Sequence, residues 1–267
     1  MRIAVLGDIH SNLEALQAVL ADLQRQGVER VLHVGDVVGY CCDFAACIEL
    51  LTAHGIAGVH GNHDLMALGL LEPTRCIPSA RQAIHWTRPR LSASERAFLA
   101  ALPAELAPGE GLLLFHGAPG DVEEYIRDAV GAERTFRRLQ QRPELWIACH
   151  GHTHKQRVFE WRDGAVRLLH AATGRVALSR DARYLVCPGS VGVSRDDDAR
   201  CAYLILDTGA ACLELRRIPY DWRTCQRKLA AAGLTTRLFQ ERPARRGLVH
   251  IARRAGRRLA ELLRGSP

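Results

Sequence analysis

Gly35-Asp36-Val37-Val38-Gly39 follows the apolar run Val31-Leu32-His33-Val34 and precedes a stretch of helical texture. An acidic residue between glycines, directly after a short apolar run, reads as a buried strand ending in a tight turn. Asp36 is then presented at the carboxyl end of that strand. Four other apolar runs of this chain end on Asp, His or Asn in the same way, so the reading extends outward in both directions.

Toward the N-terminus, Arg2-Ile3-Ala4-Val5-Leu6 has the look of a parallel strand and ends in Gly7-Asp8-Ile9-His10. Ser11 or Asn12 caps a helix carrying Leu13, Leu16, Val19, Leu20 and Leu23 at helical spacing, stopped at Gly27. Beyond Asp36, a helix over 43–53 buries Phe44, Cys47, Ile48 and Leu51. Ile56-Ala57-Gly58-Val59 is a third strand, ending in Gly61-Asn62-His63-Asp64. The order β-α-β-α-β with right-handed crossovers makes the strands parallel neighbours, with ligands expected outside their carboxyl ends.

Residues 65–110 read as mostly helical, over Ser79–Trp86 and Ser92–Leu102, and as a possible small cap near the site. The second of these helices carries a Ser-x-x-Glu capping pattern. Leu112–Phe115 is a fourth strand ending in His116-Gly117, and a helix over 129–141 follows. Leu145–Cys149 is a fifth, ending in His150-Gly151-His152-Thr153-His154. Short strands at Val158–Trp161, Ala165–Leu169, Tyr184–Val186, Ala202–Leu206 and Leu213–Ile218 then predict a second, largely antiparallel sheet packed face to face on the first. Trp222–Ala232 is a last helix before a tail.

At 267 residues and 48% apolar composition, the chain can bury a full core made mainly of aliphatics. There is no run of 18 apolar residues and no signal-peptide pattern, and nine cysteines lie scattered without a C-x-x-C pair, which reads as reduced thiols in a cytoplasm. The net charge of +7 belongs to one end: residues 237–267 hold nine Arg against Glu241 and Glu261, and 1–236 balance at 27 basic and 27 acidic. The division expected is therefore a domain over 1–236 and a basic amphipathic tail over 237–267. In the tail Leu248, Ile251, Ala252, Ala255, Leu259 and Leu262 share one helical face, and an anionic surface or partner is its possible target.

The five strand ends bring together Asp8, His10, Asp36, Asn62, His116, His152 and His154. This oxygen and nitrogen set suits first-row dications such as Mn, Fe, Zn, Co or Ni. Seven donors exceed one tetrahedral ion and match two ions sharing a carboxylate, the arrangement of two-metal hydrolytic sites. Arg195, after Pro188-Gly189-Ser190-Val191-Gly192, is a candidate for phosphate oxygens or else a partner of Asp196, Asp197 or Asp198. Ser190 reads as a turn residue. His33, His60 and His150 read as strand histidines, while His54, His85, His170 and His250 have no site context. Cys41 and Cys42 read as packing.

Asp8-x-His10, Gly35-Asp36-x-x-Gly39, Gly61-Asn62-His63-Asp64, His116-Gly117 and Gly151-His152-x-His154, in this order, resemble the signatures of the calcineurin-like metallophosphoesterase superfamily. The resemblance spans about residues 1 to 220 and is nearest to its small bacterial and archaeal phosphodiesterase, protein-phosphatase-like branch. It implies an α/β (α+β) fold of two mixed sheets packed as a sandwich and flanked by helices. One metal would take Asp8, His10 and His154, the other Asn62, His116 and His152, with Asp36 bridging. Asn62, His63 and Arg195 would meet the substrate, and Asp64 would orient His63. The implied activity is hydrolysis of phosphate mono- or diesters by a metal-bridging hydroxide. A serine/threonine protein phosphatase and a catalytically weak regulatory module are the alternatives. In relatives of this branch Gly-Pro-Asp commonly follows the tyrosine, where Cys41-Cys42-Asp43 stands here.

Overall fold

The computed structural model describes residues 1–169, 174–196 and 198–238. Two six-stranded mixed sheets pack face to face. The first runs β3 (Ala57–Gly58), β2 (Arg30–His33), β1 (Arg2–Leu6), β11 (Cys201–Asp207), β12 (Cys212–Ile218), β9 (Arg175–Ala177). The second runs β4 (Glu105–Gly109), β5 (Leu112–Phe115), β6 (Ile147–Cys149), β10 (Arg183–Pro188), β7 (Gln156–Arg162), β8 (Ala165–Leu169).

Strand alternation sorts the apolar residues into layers. Ile3 and Val5 of β1 meet Leu112 and Leu114 of β5 and Val186 of β10 between the sheets. The intervening Ala4 and Leu6 face α1 (Leu13–Leu23) and α2 (Phe44–Ala53). On the far side, Leu113, Phe115 and Leu185 face α6 (Ala129–Arg138). Caps act as expected: Asn12 accepts from Ala15 N–H, and Ser92 and Glu95 close a reciprocal box on α5 (Ala93–Ala100).

The sheets divide differently from the sequence expectation. β1, β2 and β3 are parallel neighbours, but β5 and β6 belong to the second sheet, and the late strands β11, β12 and β9 join the first. The physical reason is the free side of β1. β11 pairs with it antiparallel along its whole length, from Arg2 opposite Asp207 to Leu6 opposite Tyr203, so no open edge is left there. Both sheets therefore contribute strand ends to one rim. They touch there directly: Val191 N–H donates to the Gly7 carbonyl at 2.8 Å and Gly192 N–H to that of Asp8 at 2.9 Å.

Residues 62–100 form α3 (Asn62–Leu68), α4 (Pro78–Thr87) and α5, joined by short 3₁₀ turns at Pro73–Arg75 and Arg88–Arg90. β4 was not expected, since Pro108-Gly109 reads as a stop. It is an edge strand with a register shift between Leu106 and Gly109, where proline is tolerated. α7 (Trp222–Ala231) packs on α1, and Lys228 Nζ pairs with Glu14 at 2.6 Å and Asp43 at 3.0 Å. His170, Asp197 and the expected tail helix, from residue 239 onward, lie outside the described residues.

Candidate metal centre

Five of the seven candidate ligands hold left-handed backbone: Asp8 (φ 50°), His10 (51°), Asp36 (53°), His152 (64°) and His154 (57°). Each such position costs a non-glycine residue on the order of 1–2 kcal/mol. The turns reverse the chain so sharply that side chains two residues apart reach one centre. The neighbouring glycines supply clearance. A Cβ on Gly61 would stand 2.1 Å from Asp36 Oδ1, and one on Gly39 2.2 Å from His63 Nδ1.

The donor atoms of Asp8, His10, Asp36 and His154 lie within 4.8 Å of one another, as do those of Asp36, His116 and His152. Asp36 belongs to both groups. Its Oδ1 accepts from His63 N–H at 2.8 Å, while its Oδ2 faces His10 Nε2 at 3.5 Å and His116 Nε2 at 3.3 Å. Asn62 Oδ1 stands 3.0 Å from His116 Nε2. Asp8 Oδ2 and Asp36 Oδ2 are buried without a hydrogen-bond partner.

Backbone carbonyls fix the imidazole tautomers. Nδ1 of His10 faces the Val38 carbonyl at 3.1 Å, that of His116 the Val34 carbonyl at 2.7 Å, and that of His154 the Val193 carbonyl at 2.6 Å. A carbonyl only accepts, so Nδ1 carries a proton in all three; in His10 and His154 Nε2 then presents a lone pair inward, whereas His116 Nε2 faces the acceptors Asp36 Oδ2 and Asn62 Oδ1. His152 is turned the other way, with Nε2 on the Glu123 carbonyl at 3.1 Å. His10 Nε2 and His154 Nε2 consequently face each other as two acceptors 3.1 Å apart. Donors sharing one cation at about 2.0–2.2 Å stand at about that separation.

Charge follows the same logic. Burial pushes His10 down to about 3 and His152 to about 2, and His154 well below the ordinary histidine value, so all three stay neutral. Burial raises Asp8 to about 7. Burial also opposes ionisation of Asp36 and His116, but their attraction prevails, holding Asp36 well below and His116 up at about 9. A proton can thus stand in for a cation at His116.

A cleft of about 240 Å³ opens over this centre, floored by Asp36, Asn62, His63, His152 and His154. Tyr40, Tyr125 and Arg195 form one wall; Arg75, Cys76, Ile77 and Ala80 face it from the helical segment. Arg195 donates to the hydroxyls of Tyr40 (3.0 Å) and Tyr125 (3.4 Å) and to the His152 carbonyl (3.2 Å). Among the described residues after it, Asp196 is taken by Arg217 and Asp198 by Arg200.

The chain belongs to the calcineurin-like phosphoesterase superfamily. The family model matches residues 1–211. An uncharacterized protein of Methanocaldococcus jannaschii is 34% identical over 233 residues, which is 85% of this chain and 91% of that protein. A crystal structure of a metallophosphoesterase from Sphaerobacter thermophilus aligns with a TM-score of 0.73 at 32% identity, over 88% of this chain and 95% of its own. A hypothetical protein from Pyrococcus horikoshii OT3 shares the fold at a TM-score of 0.69 and 17% identity, over 87% and 94%. The superfamily's sandwich of mixed sheets is the one described above.

Two expectations drawn from the superfamily need correction or addition. The Asp64 carboxylate accepts from Val38 N–H at 3.0 Å and Gly61 N–H at 2.8 Å, and His63 Nδ1 is buried without a partner. Asp64 therefore ties the Asp36 turn to the start of α3 and does not engage the His63 ring. Tyr125 and Glu123 come from a stretch without any motif, and Tyr40 directly follows the Gly35–Gly39 turn. Ser190 is a turn residue, donating to the Asp8 carbonyl and accepting from Val193 N–H, both at 2.9 Å. Cys41 and Cys42 pack with Cys225 away from the cleft lining, and burial pushes the Cys42 thiol up to about 12.

Proposed function

We propose that this protein hydrolyses phosphate esters with the help of two dications. Asp8, His10 and His154 would hold one, Asn62, His116 and His152 the other, and Asp36 both. The observation that carries the reading is the approach of His10 Nε2 to His154 Nε2 at 3.1 Å, with each Nδ1 turned to a backbone carbonyl, an arrangement that a shared cation would satisfy. The donor set accepts Mn, Fe, Zn, Ni or Co. When bound, two such ions acidify a shared water and offset charge on the phosphoryl oxygens.

The chain's own groups supply the rest. Asn62 and Arg195 would bind phosphoryl oxygens, and His63 would offer a ring N–H to a phosphoryl oxygen or to the departing ester oxygen. Ser190 has its hydroxyl committed to backbone on both sides, which favours direct attack by water over a seryl intermediate. Among the described residues no helix is long and apolar enough to cross a membrane. We place the activity in the cytoplasm, where its nine cysteines would stay reduced.

The test combines metal analysis with turnover of chromogenic mono- and diesters and phosphopeptides after loading with each of the five metals. Two equivalents of metal with metal-dependent turnover are expected. Protein that carries both ions and turns over no ester would overturn the enzymatic reading in favour of a regulatory module.

A further inference from the structure

The Arg195 guanidinium is half-buried beside the metal centre, yet all three of its hydrogen-bond partners among the described residues are neutral. A cation withdrawn from water in this way is normally matched by an anion. Of the nearby acids among the described residues, Asp196 pairs with Arg217 and Asp198 with Arg200.

The guanidinium is also aimed. Both N–H groups of Nη1 are used, on Tyr125 and the His152 carbonyl, and one of Nη2 on Tyr40. Among the described residues Nε has no hydrogen-bond partner and Nη2 has only Tyr40, which leaves the Nε–Nη2 edge of the planar fork with donor capacity to spare. Such an edge matches two oxygens of a phosphate. The phenols that hold it are themselves fixed on the centre. Tyr125 stacks on His152 with ring centroids 3.8 Å apart, and Arg127 covers its other face at 4.0 Å. Tyr40 stacks on His63 at 5.0 Å and meets His10 edge-on at 4.7 Å.

We infer that Arg195, oriented by Tyr40 and Tyr125 as positioning residues, selects a terminal phosphoryl group, so the preferred substrates are phosphomonoesters and not diesters. This rests on the phosphate-ester reading and narrows it. A monoester near neutral pH carries a charge of about −1.5 to −2 and three free oxygens. After Asn62 and His63, which line the same cleft, have each taken up an oxygen, it still has a charged oxygen for the fork. A diester has one charge and two free oxygens; the remaining positions carry carbon and accept poorly.

The experiment uses the metal-loaded protein and inorganic phosphate as the probe, followed by calorimetry, beside KM and kcat for a matched monoester and diester. Arg195→Met should weaken phosphate binding on the order of 10–100-fold, as expected for lost charged hydrogen bonds. Arg195→Lys should restore little, because an ammonium has no fork. Tyr125→Phe keeps the ring on His152 and removes only the hydroxyl. It should leave metal content unchanged and raise KM severalfold more for the monoester than for the diester. Phosphate affinity within twofold of wild type in Arg195→Met overturns the inference, as does an equal rise in KM for both esters. Neither result touches the hydrolase reading, which fails only if no ester is turned over. The phosphate titration decides the role of Arg195 even in that case.

Discussion

Gly61→Ala isolates the bridge from the rest of the site. Gly61 has φ −106° and ψ 179°, an extended conformation open to alanine, so the backbone itself exacts nothing. What the methyl meets is Asp36: Oδ1 at 2.1 Å, the backbone nitrogen at 2.4 Å and Cγ at 2.7 Å. Carbon needs about 3.5 Å from such atoms, so the two turns must separate by roughly 1 Å. Overpacking of this size costs about 1–3 kcal/mol of stability. The cost to function is larger, because the atom displaced is the carboxylate common to both clusters, and a 1 Å misplacement can remove on the order of 10²-fold in rate. Gly55→Ala is the control: its φ is +60° and nothing lies within 4 Å, so it pays the left-handed penalty of about 1–2 kcal/mol and no steric one. Both variants would be assayed for melting temperature, bound metal after dialysis, and kcat on a chromogenic phosphate ester. Similar losses in melting temperature are expected, with metal and turnover lost in Gly61→Ala alone. Gly61→Ala that retains two metals and kcat within threefold of wild type would refute the argument that these glycines exist to admit the bridge.

Asp36→Asn should lose metal and turnover together, whereas His63→Gln should keep both metals and lose about 10²–10⁴-fold in kcat, read by metal analysis beside steady-state rates. Metal binding must displace protons from His116, raised to about 9, and from Asp8, raised to about 7; affinity should therefore climb as pH rises from about 6 to 9, with proton release visible in weakly buffered calorimetry. Ligand at about 100 times its Kd should add about 2.7 kcal/mol, so chelation should lower the melting temperature by roughly 5–10 °C. In chelator, melting temperature should rise between about pH 4 and 6.5. Burial holds His10, His33, His150 and His152 at about 3, 4, 3 and 2, so the unfolded chain binds more protons there, while Asp8 and Asp64, both near 7, oppose with fewer groups. Above 6.5 the curve should fall as His116 loses its proton; a flat profile would contradict these assignments.

Every candidate ligand was legible in the sequence, because each stands where an apolar run meets glycine and local chemistry announces both. The assignment of strands to sheets was not. β1 and β11 are some 200 positions apart, and nothing near Cys201 records that it must close the edge of β1. β9, at three residues, is too short to show a period, and β4 hides behind a proline. The second tier of the site was equally mute. Tyr125 reaches Arg195 through the fold alone, and Asp64 looks like a partner of the adjacent histidine until its two backbone donors are seen. Sequence separates residues that can do chemistry from those that cannot; it does not say which hydroxyl faces which guanidinium.

The left-handed turns beneath Asp8, His10, Asp36, His152 and His154 bear on how such a chain can decay. These positions shape the loops as well as offer ligand atoms, and Asp, Asn and Gly tolerate that geometry where β-branched residues do not. A descendant released from turning over any ester would still be pressed to keep small polar residues or glycine there. An inactive copy would then look, at those sites, far more like its working ancestor than its idle chemistry would warrant.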